Sequence, residues 1–316
     1  MNINYKTEAF LYAAMQQHGI PFPHKEVSCG MFVRWGHNYR YWLIAVFDGY
    51  KFGDFVTGEE FTAFPDKKYS RNEWITRKQT IVKEAKEAEK IQDKKWQTVA
   101  DKANQIWQSA QLCYDHEYLK KKNVPSIGLR VIQTRDKYPS KYIINNNIYN
   151  NNCNNIYVPL NVLVTPLYAS DNNIVSLQYI YQNGNKRFLK GGRKQGCYFP
   201  ICNFKRRIFL AEGYATACSV FMATGELTIC CFDAGNLKPV AEKFRKFYPT
   251  TEIIICADND SVGLSKAIEA GKIIDAITVF PIFPNGFNSF SDFNDLANLE
   301  GIAVVKQQIS NAYRGR

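Results

Sequence analysis

The chain has 316 residues, 46% of them apolar and 14% aromatic, with a formal net charge of +11. That length accommodates two domains, the composition is globular rather than disordered, and no apolar run is long enough to span a bilayer. The charge is unevenly spread: Lys205–Arg316 carries 12 basic and 12 acidic residues, so of the totals of 40 and 29 the first 204 residues hold 28 and 17. A basic segment joined to a neutral one with acid clusters suits a polyanion and its metal ions.

The opening MNINYKTEAFLYAAMQQHG lacks the basic n-region, apolar h-region and small-residue cleavage site of a signal peptide, so the expected location is the cytoplasm, with no membrane partner. Nine cysteines include no C-x₂-C pair, and Cys197 and Cys202, with four residues between them, have no second pair to complete a zinc site. Reduced, mostly buried thiols are expected.

Residues 31–64 alternate aromatic and polar residues between glycine-containing turns, which predicts three or four antiparallel strands with a hairpin turn at Asp48-Gly49. From Arg71 to Leu112 the period changes. Ile81, Ala85, Ala88, Trp96, Val99, Ala103, Ile106 and Ala110 follow three-four spacing, with Gln92 filling the step between Ala88 and Trp96, which predicts one long amphipathic helix, or two in line, with a solvated Lys/Glu face. The asparagine-rich stretch 145–155 has no apolar period and reads as an exposed loop. Three strands follow, joined by turns at 171–173 and 182–185.

Beyond residue 205 short apolar runs alternate with helical stretches at about 214–224, 237–248 and 262–274, and TVF follows near 278–280. This alternation predicts a parallel α/β sheet, whose chemistry gathers at the carboxyl ends of its strands. IFLAE ends in Glu212 and IIICAD ends in Asp258, with Asp260 two residues on; SDFND supplies Asp292 and Asp295. Converging carboxylates repel unless a cation joins them. Oxygen ligands without His or Cys select Mg²⁺ or Mn²⁺. Three other readings compete. A phospho-aspartate motif at Asp258–Val262 would have too short a remainder behind it, an EF-hand would need an oxygen ligand where Val262 stands, and a helix N-cap explains one aspartate but neither Glu212 nor SDFND.

The glycine-rich LKGGRKQG, with Lys190, Arg193 and Lys194, is the best candidate for handling a triphosphate or a template backbone; its bland alternative is a solvated hairpin. Arg130 and Lys186 or Arg187 are further basic candidates, Arg187 being preferred of the last two. Trp35, Tyr39, Trp42 and Phe47 are candidates for stacking on unpaired bases, with strand-core packing the alternative for at least half of them.

Taken in order, FLAEGYATACS, CFDAGNLKPVAEKFRKFYP, IIICADNDSVG and SDFNDL resemble the Toprim domain shared by bacterial primases, topoisomerases and some nucleases, over about Arg207 to Leu299. Upstream, YKFGDFVTGEEF, the AFPDK turn, YLKKKNVPSIGLR and VSLQYIYQNGNKRFLKGGRKQGCYFPI resemble the narrower group of Toprim DNA primases of plasmids, phages and mobile elements. The implied fold is α/β: a C-terminal Toprim domain with a Rossmann-like parallel sheet (205–316), preceded by a basic, β-rich primase-type α+β subdomain (116–204) and an α+β region with antiparallel strands and the long helix (1–115).

The resemblance implies synthesis of short RNA primers on single-stranded DNA from NTPs, with Asp258 and Asp260 holding Mg²⁺ (or Mn²⁺) against the incoming triphosphate. Glu212 would complete that site or help move a proton, and Asp292 and Asp295 would bind a second ion or orient its waters. Asn236, beside Asp233, would shape the nucleotide- or template-binding side. Neither zinc-ribbon cysteines nor a helicase P-loop occurs in the sequence, so a separate replicative helicase is an expected partner. A Toprim nuclease would use the same acids with water, and a non-catalytic single-stranded-DNA-binding accessory protein would need only the basic half.

Overall fold

The computed structural model describes residues 9–23, 32–46, 49–65, 70–133, 161–171, 173–286 and 289–314. They divide into two units, Met1–Lys95 and Trp96–Arg316. The first unit holds helix α1 (Ala9–Gln17) and strands β1 (Phe32–Trp35), β2 (Tyr41–Val46), β3 (Gly49–Asp54) and β4 (Glu60–Ala63). The strands pair antiparallel in the order β1-β2-β3-β4. Period-two alternation turns Val33, Leu43 and Phe52 inward, where they bury Leu11 and Met15 of α1. On the other face Trp42 lies over Gly53, where a Cβ would stand 2.9 Å from its ring atoms, so the strand needs glycine there. Asp48 of the expected hairpin turn, Asp66 and Lys67 of the AFPDK turn and the 145–155 stretch lie outside the described residues.

Helix α2 (Arg71–Ser109) is the predicted long helix, continuous over 39 residues. The division between the units falls inside it, whereas the sequence pattern suggested boundaries near 115 and 204. In the second unit its apolar stripe continues as expected: Ala103 and Ile106 are buried against Val164, Leu177 and Leu189. Ile81 and Ala85 belong to the part whose side chains are not described.

The second unit contains two sheets. Strands β5 (Gln111–Leu112), β6 (Arg130–Ile132), β7 (Val162–Tyr168), β8 (Ile174–Ile180) and β9 (Lys186–Phe188) form an antiparallel sheet in chain order, with the short helix α3 (Glu117–Lys122) between β5 and β6. The turn before β9 is closed by Tyr181 N–H donating to Asn185 O at 2.9 Å. Next come β10 (Phe199–Pro200), β11 (Ile208–Ala211), α4 (Tyr214–Thr224), β12 (Leu227–Cys230), α5 (Ala234–Phe247), β13 (Ile253–Cys256), α6 (Ser261–Ile274), β14 (Ile277–Val279), α7 (Phe293–Glu300) and α8 (Ile302–Arg314). Their sheet has the order β10-β12-β11-β13-β14. Four strands run parallel, and β10 closes one edge antiparallel to β12.

Each parallel strand is apolar on both faces because helices cover both. Leu237, Val240 and Phe244 of α5, with Ala267 and Ala270 of α6, bury Ile208, Leu210 and Ile255. Val220 of α4, Leu296 of α7 and Val305 and Ile309 of α8 bury Phe209, Ala211 and Ile254. That second core also takes in Leu163, Leu167 and Ile180, so both sheets of the unit share it. Helices α4, α5 and α6 match their predicted spans to within three residues, while α7 and α8 have no counterpart in the sequence reading. No helix among the described residues is long and apolar enough to cross a membrane. The seven described cysteines are all free.

Candidate metal and active site

Central strands β11 and β13 lie side by side with Ala211 opposite Cys256, so the residues that follow them, Glu212 and Asp258, emerge at one carboxyl edge. The first turn of α6 sits against both acids. A Cβ on Gly263 would stand 2.8 Å from Glu212 Oε1 and 3.2 Å from Asp258 Cβ, so only glycine leaves the carboxylates their room. Glu212 Oε1 and Asp258 Oδ1 are buried without a hydrogen-bond partner. Such groups are costly unless something compensates them.

Electrostatics ties the remaining acids to this pair. Burial pushes Glu212 up to about 7, helped by the charges of Asp260 and Asp233. Burial pushes Asp258 up to about 8, helped by Glu212, Asp292 and Asp260. Asp292 is also raised, by burial and then by Asp295. Lys186 opposes the shift at both Glu212 and Asp258. Like charges in a partly desolvated edge hold protons until a cation replaces them.

Three aspartates at this edge also serve as helix N-caps. Asp260 Oδ1 accepts from the N–H groups of Val262 and Gly263 at 3.0 and 2.7 Å, and Asp292 Oδ1 accepts from Asn294 and Asp295 at 2.7 and 2.9 Å. Asp233 Oδ1 caps α5 through Asn236 N–H at 3.0 Å, while its Oδ2 pairs with Lys194. Capping explains each of these aspartates locally. It does not explain the two buried, unpartnered oxygens of Glu212 and Asp258.

Among the described residues, no three Asp, Glu, His or Cys side chains stand close enough about one point to hold an ion as they are. The chemistry of the donors nevertheless fits a hard divalent cation, since the edge offers carboxylate oxygens alone, two of them orphaned. Asp295 is drawn away from that role: Oδ2 accepts from Ser291 N–H at 3.2 Å, and Oδ1 pairs with Lys122 Nζ at 3.4 Å.

The basic candidates separate. Period-two alternation along β9 puts Lys186 on the side of Phe188, which packs edge-on against Phe232 just past the end of β12. Lys186, rather than Arg187, therefore faces the acids, its Nζ 3.4 Å from where a Cβ of Gly213 would be. Lys194 is paired with Asp233 and lies over the Phe188 ring, while Arg193 stacks over Trp96 at 5.7 Å. Lys190 is exposed at the turn. Arg130 is spent on structure: its guanidinium donates to the carbonyls of Trp107 and Ala110 and lies over the Trp107 ring.

Asn236 is built into the interior. It is 1% exposed, accepts from Gly196 N–H at 2.7 Å, and donates to the carbonyls of Cys197 and Cys231 at 2.8 Å each. Buried and bonded in this way, the side chain fastens the glycine-rich loop to α5. Lys122, which sequence reasoning missed, stands at the C-terminal end of α3, and only the run YLKKK hinted at it. Of the stacking candidates, Trp42 is buried against Gly53, Trp35 spends its N–H on Pro21 O, Tyr39 is exposed, and Phe47 lies outside the described residues.

The family model of the Toprim domain matches residues 207–303. Two curated Escherichia coli proteins, each named DNA primase TraC, are 35% and 32% identical to the chain over 131 residues, 37% of this chain. The chain covers 12% and 9% of their lengths, so it spans about a tenth of the curated relatives it matches. Among solved structures, the DnaG primase catalytic domain bound to single-stranded DNA aligns at a TM-score of 0.47 and 11% identity, covering 70% of this chain and 80% of that one. The primase fragment of the bacteriophage T7 primase-helicase protein aligns at 0.44 and 14%, covering 62% and 74%. The parallel sheet that ends in Glu212 and Asp258 is a Toprim domain.

Proposed function

We propose that this chain is the catalytic core of a DNA primase, joining ribonucleotides on a single-stranded DNA template. The observation that carries the reading is the pair of buried, unpartnered carboxylate oxygens on Glu212 and Asp258, with Lys186 directed at them. Such a pair suits a divalent ion, and an ion beside a lysine suits a triphosphate. The kinship with proteins named DNA primase adds the template.

In this reading Glu212, Asp258 and Asp260 hold Mg²⁺ or Mn²⁺, with Asp292 behind them. The ion would supply charge neutralisation at the attacked phosphorus and at the departing pyrophosphate. Glu212, which burial and the charges of Asp260 and Asp233 push up to about 7, would have to give up its proton to serve as a ligand. Lys186 contributes a cationic contact to the triphosphate. The loop carrying Lys190, Arg193 and Lys194 lies along the template or triphosphate path, and Lys194 must exchange Asp233 for a phosphate to take part. A separate helicase would present the template.

The test is a primer-synthesis assay with single-stranded template, labelled NTPs and Mg²⁺ or Mn²⁺, resolved on a sequencing gel. Labelled oligonucleotides are expected from the wild type and none from Asp258→Asn, whose template affinity stays within about threefold because phosphate contacts from basic side chains carry it. Shortened template with no labelled product would replace this reading with a nuclease. Binding without either product would leave an accessory protein.

A further inference from the structure

Asn259, the middle residue of the Asp258-Asn259-Asp260 run, bonds away from the acids on either side of it. Its backbone N–H donates to Ser291 O at 2.6 Å, and its side-chain Nδ2 donates to Pro281 O at 3.1 Å. These two carbonyls lie in the segment that leads from β14 to the N-cap of α7. Ser291 immediately precedes Asp292 and passes the connection on, its own N–H donating to Asp295 Oδ2 at 3.2 Å. Farther back, Ile282 exchanges two hydrogen bonds with Gln308 of α8, at 2.9 and 2.8 Å.

We infer that Asn259 is a positioning residue: it clamps Pro281 and Ser291 to the end of β13 and so holds Asp292 within the field of Asp258. The inference rests on reading this edge as a cation site. Packing of Leu296 against Ile254 seats the body of α7 on β13, and the two hydrogen bonds of Asn259 tie the segment just before Asp292 to the end of that strand. A carboxamide suits the position because it donates to a carbonyl and carries no charge of its own into a crowded acidic edge. Residues that orient metal ligands without touching the ion typically change affinity by about 10- to 100-fold when removed.

The experiment is a Mn²⁺ titration of the full chain without nucleotide at pH 8, free ion being read by electron paramagnetic resonance, on wild type, Asn259→Ala, Asn259→Asp and Asp258→Asn. Asn259→Ala is expected to weaken Mn²⁺ binding about tenfold or more. Asn259→Asp discriminates most sharply. An added negative charge would tighten a cation if charge alone mattered, whereas a carboxylate cannot donate to Pro281 O and repels it, so the clamp requires weaker binding. Wild-type affinity in Asn259→Ala, or tighter binding in Asn259→Asp, with Asp258→Asn abolishing binding, overturns the inference. If Asp258→Asn retains full affinity, the cation reading itself fails, which is a separate result. Should Asn259→Ala not fold, Gln308→Ala loosens the same segment at Ile282 away from the acids; it must weaken Mn²⁺ binding in the same direction, and unchanged affinity counts against the clamp.

Discussion

Replacing Asp258 by asparagine should make the metal-free protein more stable, and increasingly so as the pH rises. A carboxyl whose folded pKa lies above its unfolded value takes up a proton on folding, so its contribution to stability falls as pH increases between the two. For Asp258 those values are 3.8 and about 8. At about 1.4 kcal/mol per pH unit the limit is roughly 6 kcal/mol at pH 8. Water at the sheet edge screens part of that field, and about half, roughly 3 kcal/mol, is a reasonable remainder. For a unit of this size the remainder corresponds to a rise in Tm of about 6–12 °C at pH 8 and to none near pH 4. Thermal unfolding in a chelating buffer at pH 4, 6 and 8 reads the difference directly. Saturating Mg²⁺ at pH 8 should then raise the wild-type Tm and leave the variant where it was. A Tm difference that stays constant from pH 4 to pH 8, or a variant less stable at pH 8, would show that Asp258 is not held in a field of like charges.

Gly263→Ala adds a methyl 2.8 Å from Glu212 Oε1 at a helical position that itself favours alanine by about 1 kcal/mol; thermal unfolding should show the fold intact while primer synthesis drops at least about tenfold. Lys186→Ala should raise the KM for NTPs by about tenfold, the loss of one charge-assisted contact, while Arg187→Ala stays within about twofold; equal effects would mean that β9 presents its other face. Asn236→Ala strands Gly196 N–H and the carbonyls of Cys197 and Cys231 and should cost about 2–4 kcal/mol in denaturant unfolding.

Some of this organisation could be read in the sequence because local pattern and tertiary structure agree. The runs IFLA and IIIC are apolar on both faces and end in charged residues, which marks buried parallel strands and names Glu212 and Asp258. The long helix declared itself by its period. What could not be read depends on partners remote in the chain. Nothing near Asn236 announces that Gly196 and Cys197, some forty residues earlier, will bury it. Asp295 looked like a ligand until Ser291 and Lys122 accounted for its two oxygens. The division at Lys95/Trp96 left no trace either, because the helical period runs through it unbroken. The choice between Lys186 and Arg187, in contrast, was available in principle: a two-residue period anchored on Phe188 decides it.

Strand β10 gives the molecule a property that a list of its sequence motifs would hide. Phe199–Pro200 belongs by sequence to the basic half, yet it hydrogen-bonds to β12 and seals that margin of the parallel sheet, and Leu163, Leu167 and Ile180 plug the same interior as Phe209 and Val220. A fragment cut at residue 205 would lose its border strand and bare a wide oily surface at once. The acid-bearing portion is thus closed on one face and at one margin by chain that precedes it, and a cut at residue 205 would open both.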